Sequence, residues 1–150
     1  MRQWLWAEVS IEARLGGKVR LRWDSGEMDG VITVFEPGRL LEYTWCEAAL
    51  GVESVVRFEL RPADSGTLLV LEHTAVPDGK AAGFGAGWRG HPDALAATLV
   101  GQAPGAHQRY RELAPEYTRR VGNGGSRDFG GHFAVAFVDQ LESRKSNRPD

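Results

Sequence analysis

From residue 7 to about residue 76, apolar and polar side chains alternate in short runs separated by turn residues, the spacing of an antiparallel meander. Six strands are predicted, near 7–14, 18–24, 29–36, 39–47, 52–62 and 66–76. Gly16-Gly17, Asp24-Ser25-Gly26, Pro37-Gly38 and Asp64-Ser65-Gly66 supply the positive or fixed φ that tight reversals need. Period-two alternation sets Val19, Leu21 and Trp23 against Lys18, Arg20 and Arg22, and Val56, Phe58 and Leu60 against Arg57 and Glu59. One face of the sheet is therefore wet, and the other must be covered by something apolar from later in the chain.

Residues 77–91 are Gly-rich and carry no strong period, whereas 92–100 reads as a helix with Pro92 in its first turn and Gly101 as its stop. If that helix starts earlier and tolerates a kink at Pro92, Trp88, Leu95 and Leu99 share one stripe. A further helix is predicted over 105–121, with Tyr110, Leu113, Tyr117 and Val121 at helical spacing. After a Gly-rich linker at 123–131, Phe133, Ala134, Phe137, Val138 and Leu141 follow an amphipathic helical pattern, although the large-small alternation over 133–137 also fits a strand. Helix is the expectation there, with its apolar stripe packed on the body or on a partner, and 143–150 is expected to be disordered.

A chain of 150 residues is one domain's worth, able to bury roughly 70% of the surface its unfolded form exposes. Eighteen bases against 20 acids leave a net charge of -2, with no basic cluster, which argues against a nucleic-acid surface. Cys46 is the only cysteine, so no internal disulfide and no cysteine metal cage can form. With no run of 18 apolar residues and no apolar leader over 1–8, the expectation is a cytoplasmic protein without a membrane partner.

Candidate chemistry is sparse. Gly85-Ala86-Gly87-Trp88-Arg89-Gly90 matches a dinucleotide fingerprint formally, but that motif belongs in a βαβ unit and here follows an antiparallel meander. Small residues at a close helix–sheet approach explain it better. His73, His91, His107 and His132 fall at no metal-ligand spacing, so neither a metal nor another cofactor is expected. His73 shares the inner face with Leu69 and Leu71, as a core residue with a satisfied hydrogen bond or as a polar contact in a pocket. Cys46 has no helix N-terminus beside it, no nucleophile elbow exists, and the His91/Asp93 and Glu72/His73 pairs read as surface or capping groups, so no catalytic constellation is identified. Trp23, Trp45 and Trp88 all map to the inner face or the covering helix, where they either fill a core or line a cavity.

Several segments in order resemble a known family: Gly16-Gly17-Lys18-Val19-Arg20, then Gly30-Val31-Ile32-Thr33-Val34-Phe35-Glu36-Pro37, then Arg39-Leu40-Leu41-Glu42-Tyr43-Thr44-Trp45. Ser54-Val55-Val56-Arg57-Phe58-Glu59-Leu60, the run from Gly66 to His73, and Gly87-Trp88 with Asp93-Ala94-Leu95 continue the pattern. Together they resemble the bacterial branch of the Hsp90 ATPase activator homologue family, within the START-like or SRPBCC superfamily, over about residues 2–121. The resemblance implies an α+β helix-grip fold, a curved antiparallel sheet wrapped around a long C-terminal helix with an apolar cavity between them. It places Trp45, Phe58, Leu71, His73, Trp88, Leu95 and Leu99 on the cavity wall, where Trp23 joins them on the alternation pattern. The family opens with a strand and two short helices, and Gln3-Trp4-Leu5 resembles the end of that opening, so the opening strand is expected to be missing. A vacant edge invites a homodimer unless the tail itself occupies it.

The domain expected is therefore a helix-grip unit over 1–121 followed by an extension over 122–150. The function expected is non-catalytic binding of a small apolar or amphipathic molecule. The alternatives are a chaperone partner, as an activator of an Hsp90-type ATPase in the stress response, and a polyketide cyclase or dehydratase-like enzyme with His73 as acid or base.

Overall fold

The computed structural model describes residues 5, 7–48, 51–64, 66–99, 101, 111–112, 114–115 and 119, and the backbone of 133–139. Six consecutive strands form the meander: β1 (Glu8–Ile11), β2 (Lys18–Trp23), β3 (Gly26–Glu36), β4 (Leu40–Cys46), β5 (Glu53–Ala63) and β6 (Gly66–Thr74). Each pairs antiparallel with the next. The expected turns lie where the strands reverse. Asp24 and Ser25 form a two-residue hairpin loop between paired Trp23 and Gly26, and Gly38 takes a φ of 74° between β3 and β4. Gly17 is required by crowding: a Cβ there would stand 1.9 Å from the Glu12 carbonyl oxygen.

The inner face follows the predicted alternation. Val19 and Leu21 are buried while Lys18, Arg20 and Arg22 face water. On β3 the inward set shifts from Met28 and Ile32 to Phe35, because a bulge between Ile32 and Val34 inserts an extra residue and bends the strand. That bend helps the sheet curl around what covers it. The outer face carries ion pairs across neighbouring strands, among them Arg20–Asp29 at 2.6 Å and Arg57–Glu42 at 3.2 Å. Such pairs, exposed like the first or half-buried like the second, contribute little each where water reaches them, and they keep the face wet.

Beyond β6, Ala75 adopts a φ of 59°, and a 3-10 turn at Asp78–Lys80 leads into α1 (Ala81–Leu99). The helix thus starts earlier than Pro92 and runs through it, the second of the two expected arrangements. Residues 81–91 read poorly as helix because each glycine costs about 1 kcal/mol in a helix interior. Tertiary packing offsets this: Gly85, Ala86, Gly90 and Ala94 are all buried, so the small residues let the helix backbone come down onto the sheet. The G-x-G-x-x-G segment lies inside this helix and not in a strand-to-helix turn. The core joins Val19, Leu21, Met28, Ile32, Tyr43, Trp45, Val56 and Leu71 of the sheet to Trp88 of α1. Among the described residues no helix is long and apolar enough to cross a membrane.

The tail departs from expectation. Residues 133–139 form a strand, β7 (Phe133–Asp139), and not a helix. It pairs antiparallel with β6 from Thr67↔Asp139 to His73↔Phe133, making a seven-stranded sheet. The large-small alternation competed with the helical pattern, and the open backbone ladder of β6 decided between them. The edge of β6 is thereby occupied by the chain's own tail, which removes the vacancy there that motivated a dimer. Of the helix expected over 105–121, residues 111, 112, 114, 115 and 119 are described and are helical. The rest of it, the linker and 143–150 lie outside the described residues.

Candidate ligand-binding site

The space between sheet and α1 is divided by one side chain. Trp88, 3% exposed, projects from α1 into the concave face of the sheet. Its ring meets Trp45 at 5.5 Å and 74°, and Phe58 at 5.9 Å and 82°. Edge-to-face contacts of this kind are the favoured aromatic geometry and hold the wedge in place. The single cavity expected from the sequence is therefore two clefts that share Leu5, Leu21 and Trp88 as common wall.

Trp88 is also anchored chemically. Its indole Nε1–H donates to His73 Nδ1 at 2.8 Å, and His73 Nε2 lies 2.9 Å from Ser54 Oγ. An indole nitrogen only donates, so Nδ1 must be the acceptor and the proton of the neutral ring sits on Nε2. Nε2–H then donates to Ser54, whose hydroxyl donates to the Trp45 carbonyl at 3.4 Å. The chain of bonds satisfies both ring nitrogens of a fully buried imidazole. Burial pushes the His73 pKa down to about 4, so the ring stays neutral near neutral pH. With its Nδ1 lone pair bound to Trp88 and its Nε2 proton to Ser54, this histidine is a structural linker.

The first cleft, about 400 Å³, opens between the β2–β3 hairpin and the start of α1. Trp23 and Trp45 stack at 6.3 Å and 27°, and Phe84 stands edge-on to Trp45 at 86°. Gly83 and Gly87, one turn apart on α1, line it without adding side chains, while Asp24, Glu47 and Lys80 contribute charged groups to its wall. The second cleft, about 760 Å³, runs toward the other end of the helix past Leu41, Phe58, Leu69 and Leu95. Its charged pair, Glu36 and Arg39, is joined by a hydrogen bond of 2.6 Å.

Five of the eight residues picked from the sequence line these clefts: Trp23 and Trp45 the first, Phe58 and Leu95 the second, and Trp88 both. Leu71 and His73, expected on the cavity wall, are instead packed beneath Trp88 in the core at 1% and 0% exposure. Leu99, expected there too, lies at the end of α1 with 53% of its surface exposed, because the stripe that faces the sheet ends before it. Phe84 escaped the sequence reading because residues 77–91 showed no helical period, and the rim carboxylates Asp24 and Glu47 escaped it because they stand at a turn and at a strand end, where alternation assigns no face. Ser54 was legible in principle, since 54, 56 and 58 alternate onto the inner face of β5. Cys46 is exposed and its thiol donates to Glu53 Oε2 at 3.2 Å; partial desolvation and that carboxylate outweigh the Thr44 hydrogen bond and raise its pKa, so it is not an activated thiolate. No cluster of metal-ligating side chains exists among the described residues.

Comparison with known proteins agrees with this architecture. The crystal structure of CalU16 from Micromonospora echinospora superimposes with a TM-score of 0.62 at 26% identity, covering 78% of this chain and 71% of that one. The solution structure of the protein encoded by gene BPP1335 from Bordetella parapertussis gives 0.60 at 28% identity, over 78% of this chain and 71% of that one. None of the curated proteins matches the chain in sequence. These neighbours are helix-grip, SRPBCC-type folds. The family model described as "Activator of Hsp90 ATPase homolog 1-like protein" matches residues 1–100, two thirds of the sequence, and the chain belongs to that family.

Proposed function

We propose that the protein is a non-catalytic binder of a small apolar or amphipathic molecule, held between the sheet and α1. One observation carries the reading: an aromatic cleft of about 400 Å³, walled by Trp23, Trp45, Phe84 and Trp88, left open by glycines on the helix. Ligand sites are typically concave and largely apolar, with a few polar groups that orient the guest. The locked imidazole of His73 weighs against a cyclase-type reaction that uses it as acid or base, since neither ring nitrogen faces a cleft. Family membership keeps a chaperone-facing role as the second reading.

The test is titration with N-phenyl-1-naphthylamine, a neutral fluorescent probe, alongside native mass spectrometry of freshly purified protein. Binding at low micromolar concentration, about -8 kcal/mol, with quenching of tryptophan emission is the expected result. A Gly87→Leu variant, which fills the first cleft, should weaken that binding at least tenfold. No binding by the parent protein and no retained small molecule would overturn the proposal and move the chaperone role ahead.

A further inference from the structure

The proposed binding role leaves the chemical class of the guest open, and the two clefts differ in a way that narrows it. In the second cleft Glu36 and Arg39 neutralise each other. In the first, Asp24 and Glu47 enter no ion pair among the described residues, and Lys80 is the one lysine or arginine on the described wall. Two carboxylates against one ammonium leave the mouth negative, the buried His91 imidazole being the remaining titratable group on the described wall. Trp45 Nε1–H donates to Glu47 Oε2 at 3.4 Å, which ties that carboxylate to the rim next to the ring beneath it. Lys80 is exposed on the 3-10 turn at the start of α1, and its long stem lets the charged head lie in water.

The walls carry the same sign. Trp23 and Trp45 stack on one side, and Phe84 and Trp88 meet Trp45 at 86° and 74°, so four rings enclose the cleft from more than one direction. Aromatic faces carry negative potential, and a cation held against indole rings gains more when it is partly out of water. An anion in the same place would meet ring faces and two carboxylates.

We infer that the first cleft is a site for an organic cation, a protonated or quaternary amine with an apolar body, its charged head among Trp23, Trp45, Asp24 and Glu47. The inference rests on the binding role proposed above. The experiment compares three guests of one chain length, octyltrimethylammonium, 1-octanol and octanoate, by tryptophan quenching and calorimetry on the full chain. Octyltrimethylammonium should bind about tenfold more tightly than 1-octanol, with octanoate weakest. The double variant Asp24→Asn, Glu47→Gln alters two rim groups outside the core, so it should keep its melting temperature, and within that variant the ratio of octyltrimethylammonium to 1-octanol affinity should fall to about twofold. If all three bind but 1-octanol equals the cation, or octanoate exceeds it, the cation site is refuted and the apolar binding role stands. If the preference survives in the double variant, the cleft is not where the charge is read and the inference fails. If none of the three binds while N-phenyl-1-naphthylamine does, the cation site is refuted and the binding role stands; if that probe fails as well, both fall.

Discussion

The buried Trp88–His73–Ser54 chain makes a quantitative claim about acid stability. The folded protein holds His73 neutral down to about pH 4, whereas in the unfolded chain it titrates near the ordinary value of about 6.5. The folded pKa is depressed, so the stabilisation is fully present above about pH 6.5. It is lost as the pH falls, because the unfolded state takes up the proton first, and the loss is complete below about pH 4. Each pH unit of that gap is worth about 1.4 kcal/mol, which places the loss at about 3 kcal/mol. Carboxylates titrate in the same range, so the measurement is a difference between two proteins. In a His73→Gln variant the amide oxygen can accept from Trp88 and the amide nitrogen can donate to Ser54, but nothing titrates. Urea unfolding followed by tryptophan fluorescence at half-unit steps from pH 7.5 to 3.5 should give a parent curve falling below the variant's by about 3 kcal/mol across the window. Parallel curves would refute the assignment of a neutral, doubly bonded imidazole. If the variant fails to fold, the parent's His73 proton resonances serve instead, and a midpoint near 6.5 refutes the same claim.

Ser54→Ala should cost about 1–3 kcal/mol in urea unfolding, since it leaves the His73 Nε2–H buried without its acceptor. Gly30→Ala should lower the melting temperature sharply and cost more than about 3 kcal/mol, because the new Cβ would stand 1.9 Å from the Thr44 carbonyl oxygen and one strand must move. Phe58→Trp should fill part of the second cleft and lower the affinity of any guest there, at a smaller stability cost than the roughly 1–3 kcal/mol of overpacking a closed core, as read by probe titration beside thermal melting. Truncation after residue 132 removes β7 and exposes the β6 backbone, so light scattering should report self-association where the full chain shows less.

Local chemistry in the chain determined the meander. Each break between strands has a glycine, proline or aspartate that requires it, and period-two alternation settles which side of a strand is wet whatever lies opposite. For the same reason Trp23 and Trp45 were legible as inner residues, while Trp88 was legible only through the helical stripe it shares with Leu95. Tertiary structure decided the elements whose local signals conflict. Residues 81–91 are poor helix formers, yet they are helical because the sheet rewards small side chains at close approach. The 133–139 segment fits two periods, and the unpaired ladder of β6 selected the strand. Which inner residues face space and which are packed is likewise a matter of where one large side chain ends. Trp88, tied by its indole nitrogen to a histidine 15 positions earlier, fills the centre, turning one expected cavity into two clefts and burying Leu71 and His73 beneath it. Alternation assigns a residue to a face of the sheet; the depth at which it meets its partner across that face depends on volumes and bonds from distant segments.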